Sequence, residues 1–207
     1  MFRPWVGENY GADDLPIGSK RLLILGESHH SQEHPVGTLV PDMTVDVVSY
    51  YQTGPWVPWM RTLDNAAAAI AGKSKRELGR AGVNAIWDQI AFYNYVPVVA
   101  ASGSRSRPTG EHFEMGAEPF RQLLVDLSPR AIIVCGYELW ARIVPHHAQA
   151  YTENPWRPET SFAELGPRNI PALRMVHPST AFSPARWAPQ IADLLAKAEG
   201  APAGAPA

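Results

Sequence analysis

Glu27, Ser28, His29 and His30 follow directly on the apolar run Arg21-Leu22-Leu23-Ile24-Leu25-Gly26. A carboxylate, a hydroxyl and two imidazoles just past a buried strand suit proton transfer, nucleophilic attack or stabilisation of developing charge. In an α/β protein the crevice beyond the carboxyl ends of the strands is where ligands bind. Two further polar clusters have the same placement. Asn94-Tyr95 closes the aromatic run Ile90-Ala91-Phe92-Tyr93, and His177-Pro178-Ser179 follows Ala172-Leu173-Arg174-Met175-Val176. In a parallel sheet all three clusters converge on one edge. A strand asparagine facing a pocket carries both donor and acceptor, so it can read the edge of a base. Each residue alone also has a structural reading: Asn94 bonded to backbone, His177 capping a loop, Glu27 paired with an arginine.

The elements that must position these groups follow from pattern. Residues 21–26 predict a strand buried on both faces, and 90–96 one rich in aromatic and branched residues, ended by Pro97. Ala131–Cys135 and Ala172–Val176 complete the set. Helices are predicted over 59–71, closed by Gly72, around 75–80, over 110–127 with Pro119 as a kink or true start, over 137–144, and from about 184 to 199. Residues 1–20, 35–58 and 145–170 read as irregular, and 100–110 as a polar Gly/Ser/Arg loop. The 35–58 insertion carries Tyr50, Tyr51 and Trp56, with Trp59 just beyond, and a segment of that kind is usually functional or disordered. Helices alternating with buried strands predict an α/β fold of three layers, α/β/α, around a central, mostly parallel four-stranded sheet. One domain is expected over 1–199, with a disordered tail of Gly, Ala and Pro over 200–207.

At 207 residues the chain is long enough for a substantial core. No leader peptide or bilayer-length apolar run is evident, so a cytoplasmic protein with no membrane association is expected. The single cysteine, Cys135, excludes an internal disulfide and a four-thiolate metal site and reads as a buried small hydrophobe. The net charge of −2 supplies no global attraction for nucleic acid. Local basic runs, Ser104-Arg105-Ser106-Arg107-Pro108 and Lys73-Ser74-Lys75-Arg76, can still contact phosphates, although such runs are commonly just solvated. Two other chemistries are disfavoured locally. His30-Ser31-Gln32-Glu33-His34 matches a zinc-protease spacing, but Gly26 and Pro35 leave barely a turn of helix to present it. Gly26-Glu27-Ser28-His29 approaches a nucleophile elbow, but His30 stands where that turn needs glycine.

Gly26-Glu27-Ser28-His29-His30, Asn94 at the end of an aromatic strand, Arg107-Pro108-Thr109-Gly110-Glu111, Ala131–Gly136 leading into Tyr137-Glu138-Leu139-Trp140, and His177-Pro178-Ser179 occur in this order. The ordered set resembles the uracil-DNA glycosylase superfamily over roughly residues 20–195. The resemblance implies an enzyme that flips a base from DNA and hydrolyses its N-glycosidic bond, without metal or other cofactor and with no obligate protein partner. It assigns Glu27 as the carboxylate, Asn94 as the base-reading amide and His177 as hydrogen-bond donor to the departing base. Gly26, Ser28, His29, His30, Phe92 and Tyr93 would line the base pocket, with Phe92 or Tyr93 stacking on the base. Arg105, Arg107, Pro178, Ser179 and Phe182 would contact DNA. No lysine lies in the three motifs, so strand cleavage through a Schiff base is not expected.

The sequence departs from the family where uracil specificity resides. The Gly-Gln-Asp-Pro-Tyr form of the first motif is absent; Ser28 and His30 stand at the aspartate and tyrosine positions. The Gly-Glu-Ala-Pro-Gly form shares only Gly26 and Glu27, and the cysteines of the iron–sulfur branches are missing. The expected substrate is therefore a bulkier modified pyrimidine, such as a glucosylated hydroxymethylcytosine of phage DNA, in an antiviral role. A uracil-excising repair enzyme and a non-catalytic nucleic-acid-binding module of the same fold are the alternatives.

Overall fold

A computed structural model describes residues 1–103, 106–148 and 162–200. In chain order the elements are β1 (Trp5–Val6), β2 (Leu22–Gly26), β3 (His29–His30), α1 (Met43–Thr53), α2 (Arg61–Ala71), α3 (Lys75–Trp87), β4 (Ala91–Asn94), β5 (Val99–Ala101), α4 (Gly110–Leu127), β6 (Ala131–Cys135), α5 (Tyr137–His147), β7 (Phe162–Leu165), β8 (Ile170–Met175) and α6 (Pro184–Gly200). The main sheet has the order β1-β4-β2-β6-β8-β7. The inner strands β4, β2, β6 and β8 are parallel, while the edges β1 and β7 run antiparallel to their neighbours. The α/β class is as the sequence implies, but the sheet is mixed and six-stranded rather than four-stranded.

Alternation along the inner strands builds two cores. Leu22, Ile24, Ala131, Ile133 and Cys135 pack under α1, α2, α3 and α6; Leu23, Leu25, Ile132 and Val134 pack under α4 and α5. Both faces of β2 and β6 are thus covered, which is why neither strand carries a polar residue. Cys135 is fully enclosed, and burial pushes its thiol up to about 12, so it behaves as an apolar filler.

The short strands β1, β3 and β5 are not expected from the sequence, and four further segments differ from the sequence reading. Residues 43–53, expected to be irregular, form α1. Its valines and threonines are weak helix formers, and burial of Thr44, Val48 and Tyr51 outweighs that propensity. Strand β7 was hidden at the sheet edge, where it pairs with β8 through a short turn at Gly166–Asn169. The helix expected around 75–80 extends to Trp87 and is broken at Gly79, whose φ of +60° is open to glycine without strain. Gly200, assigned to the tail, is the last residue of α6; residues 201–207 lie outside the described residues. Among the described residues no helix is long and apolar enough to cross a membrane.

A second, two-stranded parallel sheet, β3 with β5, lies past the end of β2. Gly37 N–H donates to Val99 O and Ser31 N–H to Ala101 O, so the 27–38 loop is laced to the segment leading to Arg107. Thr109 caps α4, its hydroxyl accepting from His112 N–H at 3.4 Å, and fixes the other end of that segment.

Candidate active site

Gly26 and Asn94 are register partners at the ends of β2 and β4. Pairing continues one step further, with Tyr95 N–H donating to Gly26 O and Val96 N–H to Glu27 O. Two of the three clusters expected to converge, at Gly26–Glu27 and Asn94–Tyr95, are therefore adjacent, while His177 follows β8, two strands away from β2. A Cβ on residue 26 would lie 2.1 Å from Asn94 Oδ1 and 3.2 Å from a carbon of the Phe92 ring, so only glycine permits this approach.

Asn94 is buried, and its Nδ2–H donates to His29 Nε2 at 3.0 Å. His29 Nε2 also meets Thr44 Oγ1 at 2.8 Å, and its ring stands edge-on to Phe2. Burial and the neighbouring His30 lower the His29 pKa to about 3, so the ring is neutral and holds the Asn94 amide in one orientation. Asn94 Oδ1 accepts no hydrogen bond among the described residues and packs against the Gly26 backbone. His29 is thus an orienting group rather than a contact to substrate.

Glu27 sits at the crevice with its side chain 12 % exposed, and Arg107 Nη1 donates to Oε1 at 3.1 Å and Oε2 at 3.2 Å. Desolvation raises the Glu27 pKa; Arg107 opposes the rise and Glu138, in the first turn of α5, adds to it. His177 lies in the same field. Its pKa is lowered by burial, then by Arg107 and His30. Its Nδ1 accepts the Ser179 backbone N–H at 3.3 Å and lies 2.7 Å from Ser179 Oγ. With Nδ1 engaged as acceptor on a neutral ring, Nε2 carries the proton. His30 is exposed beside Arg107, with its pKa lowered by burial and by that cation.

Glu27, Asn94, Gly26, His30, His177 and Arg107 are brought together; Phe92 touches Gly26 but is buried in the core under α3, edge-on to Trp87 at 5.7 Å, so its ring is not an open stacking face. Three other expected contacts are placed elsewhere. Tyr93 points to the opposite face of the sheet and is wholly buried in the α4/α5 core, so it offers no stacking surface. Phe182 is half-buried and stacks at 6.5 Å on Trp187, which engages the ring expected to fill a gap in DNA. Pro178 is buried, so Ser179 rather than the proline ring is exposed to a backbone. Ser28 Oγ is buried with no hydrogen-bond partner, so it has no base to activate it as a nucleophile. Arg105 lies outside the described residues. The His30–His34 stretch is not helical, and the described residues hold no group of three His, Cys, Asp or Glu side chains suited to a metal.

Sequence reasoning missed three supports. Thr44 holds His29, Glu138 faces Glu27, and Asn65 on α2 donates its Nδ2–H to Pro178 O at 2.8 Å, fastening the His177 loop. These contacts span long sequence separations, and no local pattern announces them.

The buried histidines give a testable pH dependence. His29 titrates near 3, and burial with Arg121 and His146 lowers His147 to about 4. The unfolded chain protonates both near 6.5 and so binds more protons below that pH. Stability is therefore full above about 6.5 and falls as pH drops towards 4, by up to about 1.4 kcal/mol per pH unit for each ring. Urea midpoints measured across this window should show that slope, and His29→Gln should flatten it. An unchanged slope in the variant would overturn the assignment.

No protein-family model matches the chain, and no curated protein matches it.

Proposed function

We propose that this protein is a monofunctional DNA glycosylase of the uracil-DNA glycosylase type, acting on a modified pyrimidine. The observation that carries this reading is the grouping of a desolvated carboxylate, a neutral imidazole with an Nε2–H and an immobilised amide at one strand edge. A flipped base would be read by Asn94, whose Oδ1 and remaining amide proton would meet its polar edge. The C1′–N bond breaks with its electron pair leaving on the base, and the His177 Nε2–H stabilises the negative charge that develops there. The Glu27 carboxylate steadies the cationic sugar and takes the proton of the water that adds to C1′. The products are the free base and an abasic site.

Arg107 is 67 % exposed and neutralises Glu27 while no DNA is bound. A phosphate is a competing bidentate partner for that guanidinium, so DNA binding would free the carboxylate. Arg107→Ala should therefore weaken DNA binding. It should also shift the acid limb of kcat/KM, which reports the free protein, to higher pH, because the cation lowers the Glu27 pKa and its loss raises it. An acid limb that stays in place would remove Glu27 as the titrating group.

The deciding experiment is abasic-site formation on DNAs containing uracil, hydroxymethylated pyrimidines or glucosylated hydroxymethylcytosine, each single- and double-stranded. Release of a 5-modified base, with plain uracil ignored, supports the reading. Efficient release of uracil alone favours the repair alternative. No release from any DNA by the folded protein favours the binding module.

A further inference from the structure

The insertion rich in aromatic residues builds a surface separate from the crevice. Tyr51 turns inward, and its hydroxyl donates to Asp64 Oδ1 at 2.9 Å. Asp64 is buried, with Oδ2 accepting from Lys75 Nζ and, at 3.4 Å, from Trp56 Nε1. This carboxylate has its acceptors filled and its charge cancelled, so it organises the surface rather than binding a ligand. Around it Gly54, Trp56, Lys75, Gly79, Arg80 and Val83 line an open cleft of ≈ 250 Å³.

Trp56, Lys75 and Arg80 line the cleft, and two further exposed rings, Tyr50 and Trp59, lie on the segments that flank Gly54 and Trp56. Trp56, Tyr50 and Trp59 are 49 %, 45 % and 43 % exposed, an unusual fraction for such large rings. The Tyr50 ring lies against Gly54, where a Cβ would meet it at 2.9 Å, and its centroid is 6.3 Å from that of Trp59. Lys75 Nζ stands 5.5 Å from the Trp56 ring centre, and the Arg80 guanidinium 4.7 Å from that of Tyr51. Residues 54–83 carry five cations, Arg61, Lys73, Lys75, Arg76 and Arg80, against the carboxylates of Asp64 and Glu77, in a chain of net charge −2. Asn65, the residue after Asp64, holds the His177 loop through Pro178 O, so one helix serves both surfaces.

We infer that this cleft is a stacking platform for single-stranded DNA, with a base on the exposed Trp56 indole and an adjoining phosphate on the exposed Arg80. Exposed rings interleaved with cations are what a sequence-tolerant single-strand surface requires, since every base has a face to stack and every link a charge. Charge alone would serve an acidic peptide equally well; the exposed aromatics favour a nucleic acid strand. As the flank of the nucleotide in the crevice, this strand rests on the glycosylase reading, but its binding is measurable without catalysis.

The test is fluorescence anisotropy of labelled oligothymidine, which contains no target base, titrated with the full chain over a range of salt concentrations. Trp56→Ala should weaken binding about tenfold, and Trp56→Phe should restore most of the loss. Arg80→Ala should reduce the slope of log K against log salt by about 0.7. Duplex DNA of the same length should respond little to either change. Oligothymidine binding with these losses, but no base release from any DNA, would sustain the platform and remove the glycosylase reading. Base release with wild-type oligothymidine binding by Trp56→Ala and Arg80→Ala would do the reverse. Equal competition by polyglutamate, with Trp56→Ala unaffected, would assign the surface to an acidic protein partner and overturn the proposal.

Discussion

Glu27→Gln is expected to lower base release by about 10²–10⁴-fold and to raise the unfolding temperature at neutral pH. The two effects have one source. Desolvation in the crevice makes the ionised carboxylate less stable in the folded protein than in the unfolded chain, and this outweighs the Arg107 ion pair. A carboxyl group with a raised folded pKa contributes stability below its ordinary pKa, and that stability is lost as pH rises through the folded value. At pH 7 Glu27 is therefore held ionised at a cost in stability, and an uncharged amide of the same shape removes the cost. Loss of the Arg107 partner subtracts little, because that side chain is 67 % exposed and well hydrated. The stabilisation should shrink as the pH is lowered into the carboxylate range, where Glu27 itself is protonated. Thermal unfolding at both pH values, beside single-turnover base release, measures both halves. Wild-type rates would remove Glu27 from the chemistry; a lower unfolding temperature at pH 7 would refute the desolvation argument.

Gly26→Ala is expected to abolish base selection and to destabilise the domain by about 1–3 kcal/mol, the usual cost of overpacking a filled site. The new methyl group would stand 2.1 Å from Asn94 Oδ1, so the amide or the strand must move. Asn94 has little freedom to yield. Its nitrogen is bound to His29, which is buried and fixed by Thr44 and Phe2. The amide oxygen is then the atom displaced. Equilibrium unfolding gives the stability term. Comparison of base release from matched modified and unmodified DNAs gives the selectivity term. A variant with wild-type stability and wild-type preference would show that Asn94 is not where the base edge is read.

The sequence alone determined the inner sheet and the edge at which the polar clusters meet. Leu22–Gly26 and Ala131–Cys135 announce themselves because both of their faces are covered and every residue is apolar, while Gly26, Asn94 and His177 stand at or just past the ends of β2, β4 and β8. It also made Glu27, Asn94 and His177 candidates through their joint placement past strand ends and the ordered motifs, with Asn94 marked further by the cost of an unsatisfied amide in a strand. Elements whose residues lack a strong period stayed hidden. Helix α1 forms because the cores and α2 bury its weak helix formers, and β3, β5 and β7 exist only through their partners.

Only the tertiary structure decided what each reactive group is for. Four consecutive residues, Glu27 to His30, are equivalent in sequence, yet one faces the crevice paired to Arg107, one is buried without a partner, one orients Asn94 and one lies exposed. Tyr93 and Phe92 differ by a single step along β4, and the two-residue period of a strand sends one into the α4/α5 core and the other towards Gly26. Protonation follows the same division: a residue type fixes the ordinary pKa, while burial and neighbours many residues away shift Glu27 up and His29 and His177 down. Local pattern carries the solvent preference of a segment. The work of a side chain depends on which distant groups the fold sets beside it.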